Sequence, residues 1–166
     1  MQPKFTLEQE IVFRKQLPRK VVSACILLFN EQQELLILKP NYRPHWLLVG
    51  GIIDARESPI NGLRREIKEE IGLEVEIKHC VIVDSLVITK GENYQDDHLE
   101  FVFLGATLTN EQIQQITLEE HEIDDYQFLP FQKALNYVSA NMRQKLEQLN
   151  GNFEQTLFLK QGQLDG

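Results

Sequence analysis

The segment from Ser58 to Gly72 constrains the fold most, because it carries the start, the stop and the buried face of one helix. Ser58 is a preferred N-cap residue, and Pro59 follows at the first helical position, where its missing N–H costs nothing. Gly72 supplies the left-handed residue that commonly ends a helix. Four apolar residues recur between these ends at three- and four-residue spacing: Ile60, Leu63, Ile67 and Ile71. The spacing predicts a helix over 59–71 that docks on a sheet through this stripe.

The rest of the chain alternates apolar runs with polar turns and predicts several strands. Residues 21–29 and 34–38 flank a polar turn and indicate a hairpin. Strands are also predicted at 46–49, 73–88, 99–108, 126–129 and 156–159, with a polar loop at 90–97. Helices are predicted at 6–16, as a short amphipathic helix, and from 130 to about 149. We therefore expect one α/β domain over residues 1–166, in which helices pack on a mixed sheet and residues 1–17 form an N-terminal helical extension.

The charge of the chain restricts its partners. Lys and Arg number 17 against 25 Asp and Glu, which gives a net charge of −8. Duplex nucleic acid and anionic membranes both require a basic surface, so neither is an expected partner. The N-terminus (Met1 to Phe5) lacks a signal-peptide core, and no apolar run approaches the ~20 residues of a membrane span. Cys25 and Cys80 lie in separate apolar runs and are expected to be buried free thiols, so we expect a cytoplasmic protein.

Three carboxylates on the predicted helix indicate a metal site. Glu66, Glu69 and Glu70 stand at positions i, i+3 and i+4, so they project from one helical surface. Like charges this close repel each other, and a hard divalent cation with oxygen ligands would stabilise them. The alternative is a plain surface helix rich in Glu and Lys. Arg65 and Glu57 could also form an ion pair that braces the preceding loop against the helix.

The wider spacing decides between these alternatives. Gly51 is followed by five residues, Glu57, seven residues and then Arg-Glu-Ile-Lys-Glu-Glu-Ile-Gly-Leu, which ends at Leu73. This pattern resembles the signature of the Nudix hydrolase family without a gap, over residues 51–73. The resemblance implies an α/β/α sandwich with a mixed sheet between helices. It also implies Mg²⁺-dependent hydrolysis, with Mn²⁺ as a substitute, of a nucleoside diphosphate linked to another moiety or of a nucleoside triphosphate.

The resemblance also implies roles for individual residues. The metal-binding positions fall on Glu66, Glu69 and Glu70. The orienting arginine, its partner and the loop glycine fall on Arg65, Glu57 and Gly51. The general base stays open, because family members differ in its place; the candidates are Glu69, Glu100, Glu119, Glu120 and Glu122, of which we expect Glu69, Glu120 or Glu122 to be catalytic.

Residues before and within the box suggest substrate contacts. Arg43 and Trp46 could pair with phosphate and stack on a base or sugar, although a core or rim role for Trp46 is the simpler interpretation. Gly62 lies four residues before Glu66, so we expect its bare backbone to leave room for metal or phosphate.

Two other functions fit parts of the sequence. A non-catalytic Nudix-fold module would bind a nucleotide or a partner, but such modules usually lose box carboxylates, and Glu66, Glu69 and Glu70 are all present here. An enzyme acting on RNA 5′ ends fits poorly with the net charge of −8. The expected partner is a small-molecule nucleotide. The apolar stretch from Thr156 to Leu159 could serve a homodimer interface, since dimers are common in the family.

Overall fold

The computed structural model describes residues 5–165, so the expectation for Met1 to Lys4 lies outside the described residues. The helices are α1 (Leu7–Gln16), α2 (Pro59–Ile71), α3 (Asn110–Gln114), α4 (Phe131–Ala134) and α5 (Ala140–Glu147). The strands are β1 (Val21–Leu27), β2 (Glu34–Pro40), β3 (Val49–Ile52), β4 (Ile77–Lys90), β5 (Tyr94–Gly105), β6 (Ile123–Pro130), β7 (Leu157–Lys160) and β8 (Gln163–Leu164).

A six-stranded mixed sheet forms the centre of the fold, in the order β3-β1-β5-β4-β7-β8. β1 runs parallel to β5, and β4 runs parallel to β7, while the other neighbours are antiparallel. β2 and β6 form a separate antiparallel pair. The expected fold class, an α/β sandwich with a mixed sheet between helices, is confirmed.

The two faces of β1 show how the sandwich is assembled. Successive side chains of a strand point to opposite faces. Ala24 and Ile26 belong to the core cluster that contains the α2 residue Ile67. Cys25 and Leu27 belong to the cluster that contains the α5 residue Leu146. The helices α2 and α5 therefore cover opposite faces of the sheet.

The helix α2 has the predicted boundaries. The Ser58 hydroxyl accepts a hydrogen bond from the Asn61 N–H, and Gly72 ends the helix with φ 71°. The stripe residues Leu63, Ile67 and Ile71 are buried, as predicted. Ile60 is 40% exposed, so its assignment to the buried stripe was wrong.

The predicted hairpin at 21–38 is wrong except for its turn, because the two strands do not pair along their length. The Asn30 side chain closes that turn by accepting from the Glu34 N–H, and a single bridge joins Phe29 to Leu35. β1 and β2 then diverge into different sheets, because β2 pairs with β6. That pairing joins segments almost ninety residues apart, and nothing in the local pattern indicates it.

Three further boundaries differ from the sequence-based expectation. β4 and β5 extend through most of the predicted loop at 90–97, and only residues 91–93 separate them. The strand predicted at 46–49 begins at Val49 and includes the two glycines after it. The helix predicted from 130 to 149 is two helices, because Ser139 starts α5 as a new N-cap residue.

The N-terminal helix α1 begins after its predicted cap, Thr6, but it is not amphipathic. Its apolar side chains do not share one face, and none of its residues is buried. Within residues 5–165, no helix is long and apolar enough to cross a membrane. Cys25 and Cys80 are both free, as predicted; Cys25 is buried and Cys80 is half-buried.

Candidate active site

A cleft of about 1560 Å³ lies beside β1, β3, β5 and α2. The loop between β2 and β3 and the start of α5 also contribute to its lining. Carboxylates outnumber basic side chains in this lining. The acidic residues are Asp54, Glu66, Glu69, Glu70, Asp96, Glu100, Glu119 and Glu122, and the basic residues are Arg43, Arg65 and His98. This acidic lining would repel a polyphosphate unless cations screened the charges.

Arg65 organises the α2 side of the cleft. Its Nε and Nη2 donate to both carboxylate oxygens of Glu57 at 3.2 and 3.1 Å, so the predicted brace between loop and helix is present. Nη1 donates to Glu66 at 2.8 Å and to Glu69 at 2.9 Å. Nη2 also donates to the Ile52 carbonyl. The hydrogen bonds that Arg65 donates to Glu57, Glu66 and Glu69, those to Glu57 foremost, raise the pKa of Arg65, and the bonds that Glu57 accepts from Arg65 lower the pKa of Glu57.

Gly51 and Glu66 are in direct contact. A Cβ placed on Gly51 would lie 2.7 Å from the carboxyl carbon of Glu66, closer than real Cβ atoms approach. The absence of a side chain at residue 51 therefore makes room for the Glu66 carboxylate beside the backbone of β3. Burial raises the pKa of Glu66, although its hydrogen bond to Arg65 opposes this shift.

Glu70 is the most buried of the three carboxylates, with 6% of its surface exposed. Its Oε2 accepts a hydrogen bond from the Gly50 N–H at 2.7 Å. Gly50 has φ 134°, and a Cβ there would lie 2.2 Å from the Ala24 carbonyl oxygen, so only glycine fits this strand beside β1. Burial raises the pKa of Glu70 to about 8, and repulsion from Glu66 adds to that shift.

The carboxylate oxygens of α2 are the type of ligand that a hard divalent cation prefers. Within the described residues, however, no three or more ligands are already arranged around one metal position. Glu66, Glu69 and Glu70 all line the cleft, and each of the first two already bonds to Arg65. Burial, and after it the nearby negative charges, raises the pKa of Glu70, and a cation would relieve the repulsion between those charges. The donor set fits such an ion, because Arg65 contacts only one oxygen of Glu66 and one of Glu69.

The structure separates the candidates for the general base. Glu119 and Glu122 line the cleft, whereas Glu120 does not. The negative charge of Glu122 is among the causes that raise the pKa values of both Glu66 and Glu70, after burial, whose effect is the largest. Glu100 also lines the cleft, but it is on β5, on the face of the sheet that α5 covers.

Arg43 and Trp46 line the cleft, as expected. The Arg43 guanidinium lies over the Tyr42 ring, 5.3 Å from its centroid. Trp46 is half-buried and packs edge-on against Tyr137, 5.9 Å between ring centroids. Trp46 therefore belongs both to the rim of the core and to the lining of the cleft.

The expected role of Gly62 is wrong. A Cβ on Gly62 would lie 2.6 Å from Ile53 Cδ1 and 3.0 Å from Glu57 Oε2. Gly62 therefore lets the loop after β3 pack against α2, and it does not clear space for metal or phosphate. The position of Gly62 four residues before Glu66 suggested the wrong role, because helical spacing does not predict that a loop covers this face of the helix.

A row of polar residues on β5 was predicted only in part, because the sequence analysis named Glu100 as a candidate base but assigned Asp96 to a loop. Asp96, His98 and Glu100 alternate along the strand, so they share one face, and all three line the cleft. Asp96 Oδ2 lies 2.9 Å from His98 Nε2 and accepts from the Tyr94 hydroxyl at 3.1 Å. The period of two was detectable in the sequence, but the assignment of 90–97 to a loop hid it.

The raised pKa of Glu70 predicts a pH-dependent stability for the cation-free protein. The folded state holds the Glu70 proton more tightly than the unfolded chain, whose value is near 4.5. The contribution of Glu70 to the free energy of unfolding is therefore greatest below about pH 4.5. It falls by about a few kcal/mol as the pH rises through 8. In EDTA, the melting temperature should fall less steeply with rising pH, between about pH 5 and 8.5, in Glu70→Gln than in the wild type. Glu74→Gln, at an exposed position outside the cleft, is the control, and identical slopes in all three proteins would contradict the prediction.

Comparisons with known proteins identify the family of the chain. The NUDIX domain model matches residues 19–149. A similar protein is the uncharacterized Nudix hydrolase YvcI of Bacillus subtilis (strain 168), 25% identical over 138 residues, which cover 81% of this chain and 86% of the relative. The chain belongs to the Nudix family, and this membership supports a hydrolase that acts on pyrophosphate bonds.

Solved structures with the same fold support the architecture. The MutT protein from Methanosarcina mazei Go1 superposes with a TM-score of 0.66 at 23% identity, over 84% of this chain and 100% of that chain. The dihydroneopterin triphosphate pyrophosphohydrolase of E. coli superposes with a TM-score of 0.64 at 21% identity, over 79% of this chain and 95% of that chain. At these identities the likeness establishes the fold.

Proposed function

We propose that this protein is a divalent-cation-dependent pyrophosphohydrolase. Its substrate is a nucleoside diphosphate linked to another moiety, or a nucleoside triphosphate, and its products are a monophosphate and a second phosphate compound. The proposal deepens what family membership supports by adding the nucleotide and the cation, Mg²⁺ with Mn²⁺ as a substitute.

One observation carries the proposal: the carboxylates of Glu66, Glu69 and Glu70 line a single cleft beside the Gly50–Gly51 backbone. A non-catalytic binding module has no need to hold three mutually repelling carboxylates there. Arg65 forms ion pairs with Glu57, Glu66 and Glu69, and these pairs fix the positions of the three carboxylates. The Arg65 side chain is only 29% exposed. The site is therefore organised around charge that an added cation would balance.

The residues of the chain take the following roles in this proposal. Glu66, Glu69 and Glu70 hold the cation, which when bound neutralises pyrophosphate oxygens and acidifies the attacking water. Arg65, fixed by Glu57, orients Glu66 and Glu69. Arg65 uses one oxygen of Glu66 and one oxygen of Glu69, so the second oxygen of each carboxylate would be available to the cation.

Glu122 is our choice for the general base. It lines the cleft and lies close enough to Glu66 and Glu70 to raise their pKa values. Glu120 does not line the cleft, and Glu69 is engaged by Arg65. A base must come within hydrogen-bond reach of the water it deprotonates, which favours Glu122 over these two.

Three residues are proposed to contact the substrate. The backbone of Gly51 lies against the Glu66 carboxylate, so it is next to the proposed cation site, where a phosphate of the substrate would lie. Arg43 places a positive charge in the lining of an otherwise acidic cleft, where it can pair with a phosphate. Trp46, half-buried in the same lining, offers an aromatic surface for a base or sugar.

A nucleotide panel tests the function. Nucleoside triphosphates and nucleoside diphosphate derivatives would be incubated with Mg²⁺ or Mn²⁺, and phosphate release measured after a coupled phosphatase; RNA with a 5′ triphosphate is an additional substrate. We expect hydrolysis of at least one small nucleotide by the wild type and none above background by Glu66→Gln prepared in parallel. Nucleotide binding without any hydrolysis would instead identify a non-catalytic module.

The wider organisation of the protein is also proposed. We infer a single domain over residues 1–166, with residues 1–17 as an N-terminal extension of the fold. We propose a cytoplasmic location, with which the two free cysteines are compatible. A homodimer through the segment around Phe158, which is 64% exposed, stays a prediction that sedimentation velocity would test.

A further inference from the structure

Lys145 is a fully buried cation on α5, with no exposed surface. Its ammonium lies 3.2 Å from Asp84 Oδ2 and donates a short hydrogen bond to Glu100 Oε2. Taking a lysine out of water costs several kcal/mol unless its partners compensate, so the group is retained only in a closely fitted arrangement. The proposed reaction uses none of these three residues.

Asp84 alone would neutralise Lys145. Asp84 is fully buried on β4, and both of its carboxylate oxygens accept from the Gly162 N–H, at 3.1 and 3.2 Å. Glu100 adds a second carboxylate from β5, directly opposite Asp84 in the strand register. The three residues together therefore carry a net charge of −1, which a purely structural ion pair does not require.

Glu100 differs from Asp84 because it reaches the cleft. Its side chain is 16% exposed and lines the cleft, whereas the lining does not include Asp84 or Lys145. The hydrogen bonds given by the described residues use only Oε2 of Glu100, so Oε1 can accept from a ligand. Lys145 thereby fixes an ionised acceptor at the wall of the cleft.

The chemistry of this wall favours an uncharged donor. On the same face of β5, Asp96 is already engaged by His98 and by the Tyr94 hydroxyl. Arg65 lies on α2, which covers the opposite face of the sheet. A phosphate would be repelled by Glu100, whereas an N–H or O–H group would gain a charge-assisted hydrogen bond.

We propose that Lys145 is a positioning residue that holds Glu100 as the acceptor for an N–H or O–H donor on the nucleoside part of the substrate. Glu100 then binds the substrate and is not the general base. This inference rests on the proposed function, because it assumes that the ligand of the cleft contains a nucleoside.

Binding of free nucleosides tests the inference without phosphate or metal. The affinities of guanosine, adenosine, cytidine and uridine would be measured by NMR titration in EDTA for the wild type and three variants. We expect Glu100→Gln to raise the dissociation constant of the best nucleoside about 5- to 30-fold, because a charged acceptor becomes a neutral one. Asp84→Asn is the matched control: it contacts the same ammonium outside the cleft, so it should lower the melting temperature and leave the affinity unchanged.

Lys145→Met by itself leaves Asp84 buried without a cation and could prevent folding. The double variant Lys145→Met with Asp84→Asn removes both charges of the buried pair and leaves Glu100 unsupported. It should fold and should bind the nucleoside as weakly as Glu100→Gln. Titrations with each 2′-deoxynucleoside, and with inosine in place of guanosine, identify the donor as a sugar hydroxyl or a base N–H.

The outcomes separate this inference from the proposed function. No detectable nucleoside binding, or equal dissociation constants for the wild type and Glu100→Gln, would overturn the inference even if the nucleotide panel succeeds. For a nucleotide that is hydrolysed, Glu100→Gln should raise KM and change kcat less than about 3-fold. A 100-fold loss of kcat at constant KM would also overturn it, because Glu100 would then be the base. Failure of the wild type on every nucleotide would reject the proposed function alone.

Discussion

Glu66→Gln and Glu70→Gln should each lower kcat by at least about 100-fold, because each change removes a negative charge from the proposed cation site. Neither variant should unfold. A glutamine at residue 70 keeps an oxygen that can accept from the Gly50 N–H, and it removes a carboxylate whose ionised form is disfavoured by burial. Steady-state kinetics and thermal melts on the same preparations would measure both effects.

The control for these variants is Glu74→Gln. Glu74 is exposed, follows α2 closely in sequence and does not line the cleft, so its substitution should leave kcat unchanged. If Glu66→Gln or Glu70→Gln retained a rate near that of Glu74→Gln, the assignment of the cation ligands would be wrong. A loss of activity that is accompanied by a large fall in melting temperature would point instead to a structural role.

Removal of divalent cations should abolish turnover completely. The cleft is lined by many more carboxylates than basic side chains, and the Arg65 guanidinium is already committed to Glu57, Glu66 and Glu69. The protein alone therefore has little positive charge to offer a pyrophosphate, which carries several negative charges. Excess EDTA should reduce the rate to background, and added Mg²⁺ should restore it. Undiminished turnover in EDTA would reject the cation-dependent mechanism.

The helix α2 was predictable to the residue because its signals are local. The Ser58 cap, the proline after it and the left-handed Gly72 each act within one turn of the helix. The box residues were predictable for the same reason, since Arg65, Glu66, Glu69 and Glu70 share one helix. The spacing along the helix predicted that these side chains share one surface, and they line one cleft. The suggested ion pair between Arg65 and Glu57 is also present.

The features that depend on distant segments were not predictable. The pairing of β2 with β6 replaces the hairpin that the turn after Phe29 suggested. Gly62 contacts a loop whose path the helical spacing does not encode. Lys145 is an unremarkable residue in a polar helix, and only the sheet register brings Asp84 and Glu100 together beneath it. Burial of a charged side chain is decided by tertiary packing, and no local pattern reports it.

The general base shows the same limit within the site. The acidic stretch before β6 contains several glutamates, and their order in the sequence does not tell which of them reach the cleft. The structure brings Glu119 and Glu122 to the lining and leaves Glu120 outside it. In a substitution series over these residues, we therefore expect Glu122→Gln to lower kcat more than Glu120→Gln.

The central claim is that the α2 carboxylates hold a divalent cation, and Mn²⁺ binding tests it most directly because no substrate is needed. Electron paramagnetic resonance of free Mn²⁺ would be recorded during titration of the wild type, Glu66→Gln, Glu70→Gln and Glu74→Gln. We predict that the wild type and Glu74→Gln bind Mn²⁺ equally, and that Glu66→Gln and Glu70→Gln bind it at least about 10-fold more weakly. Equal affinity in all four proteins would contradict the claim.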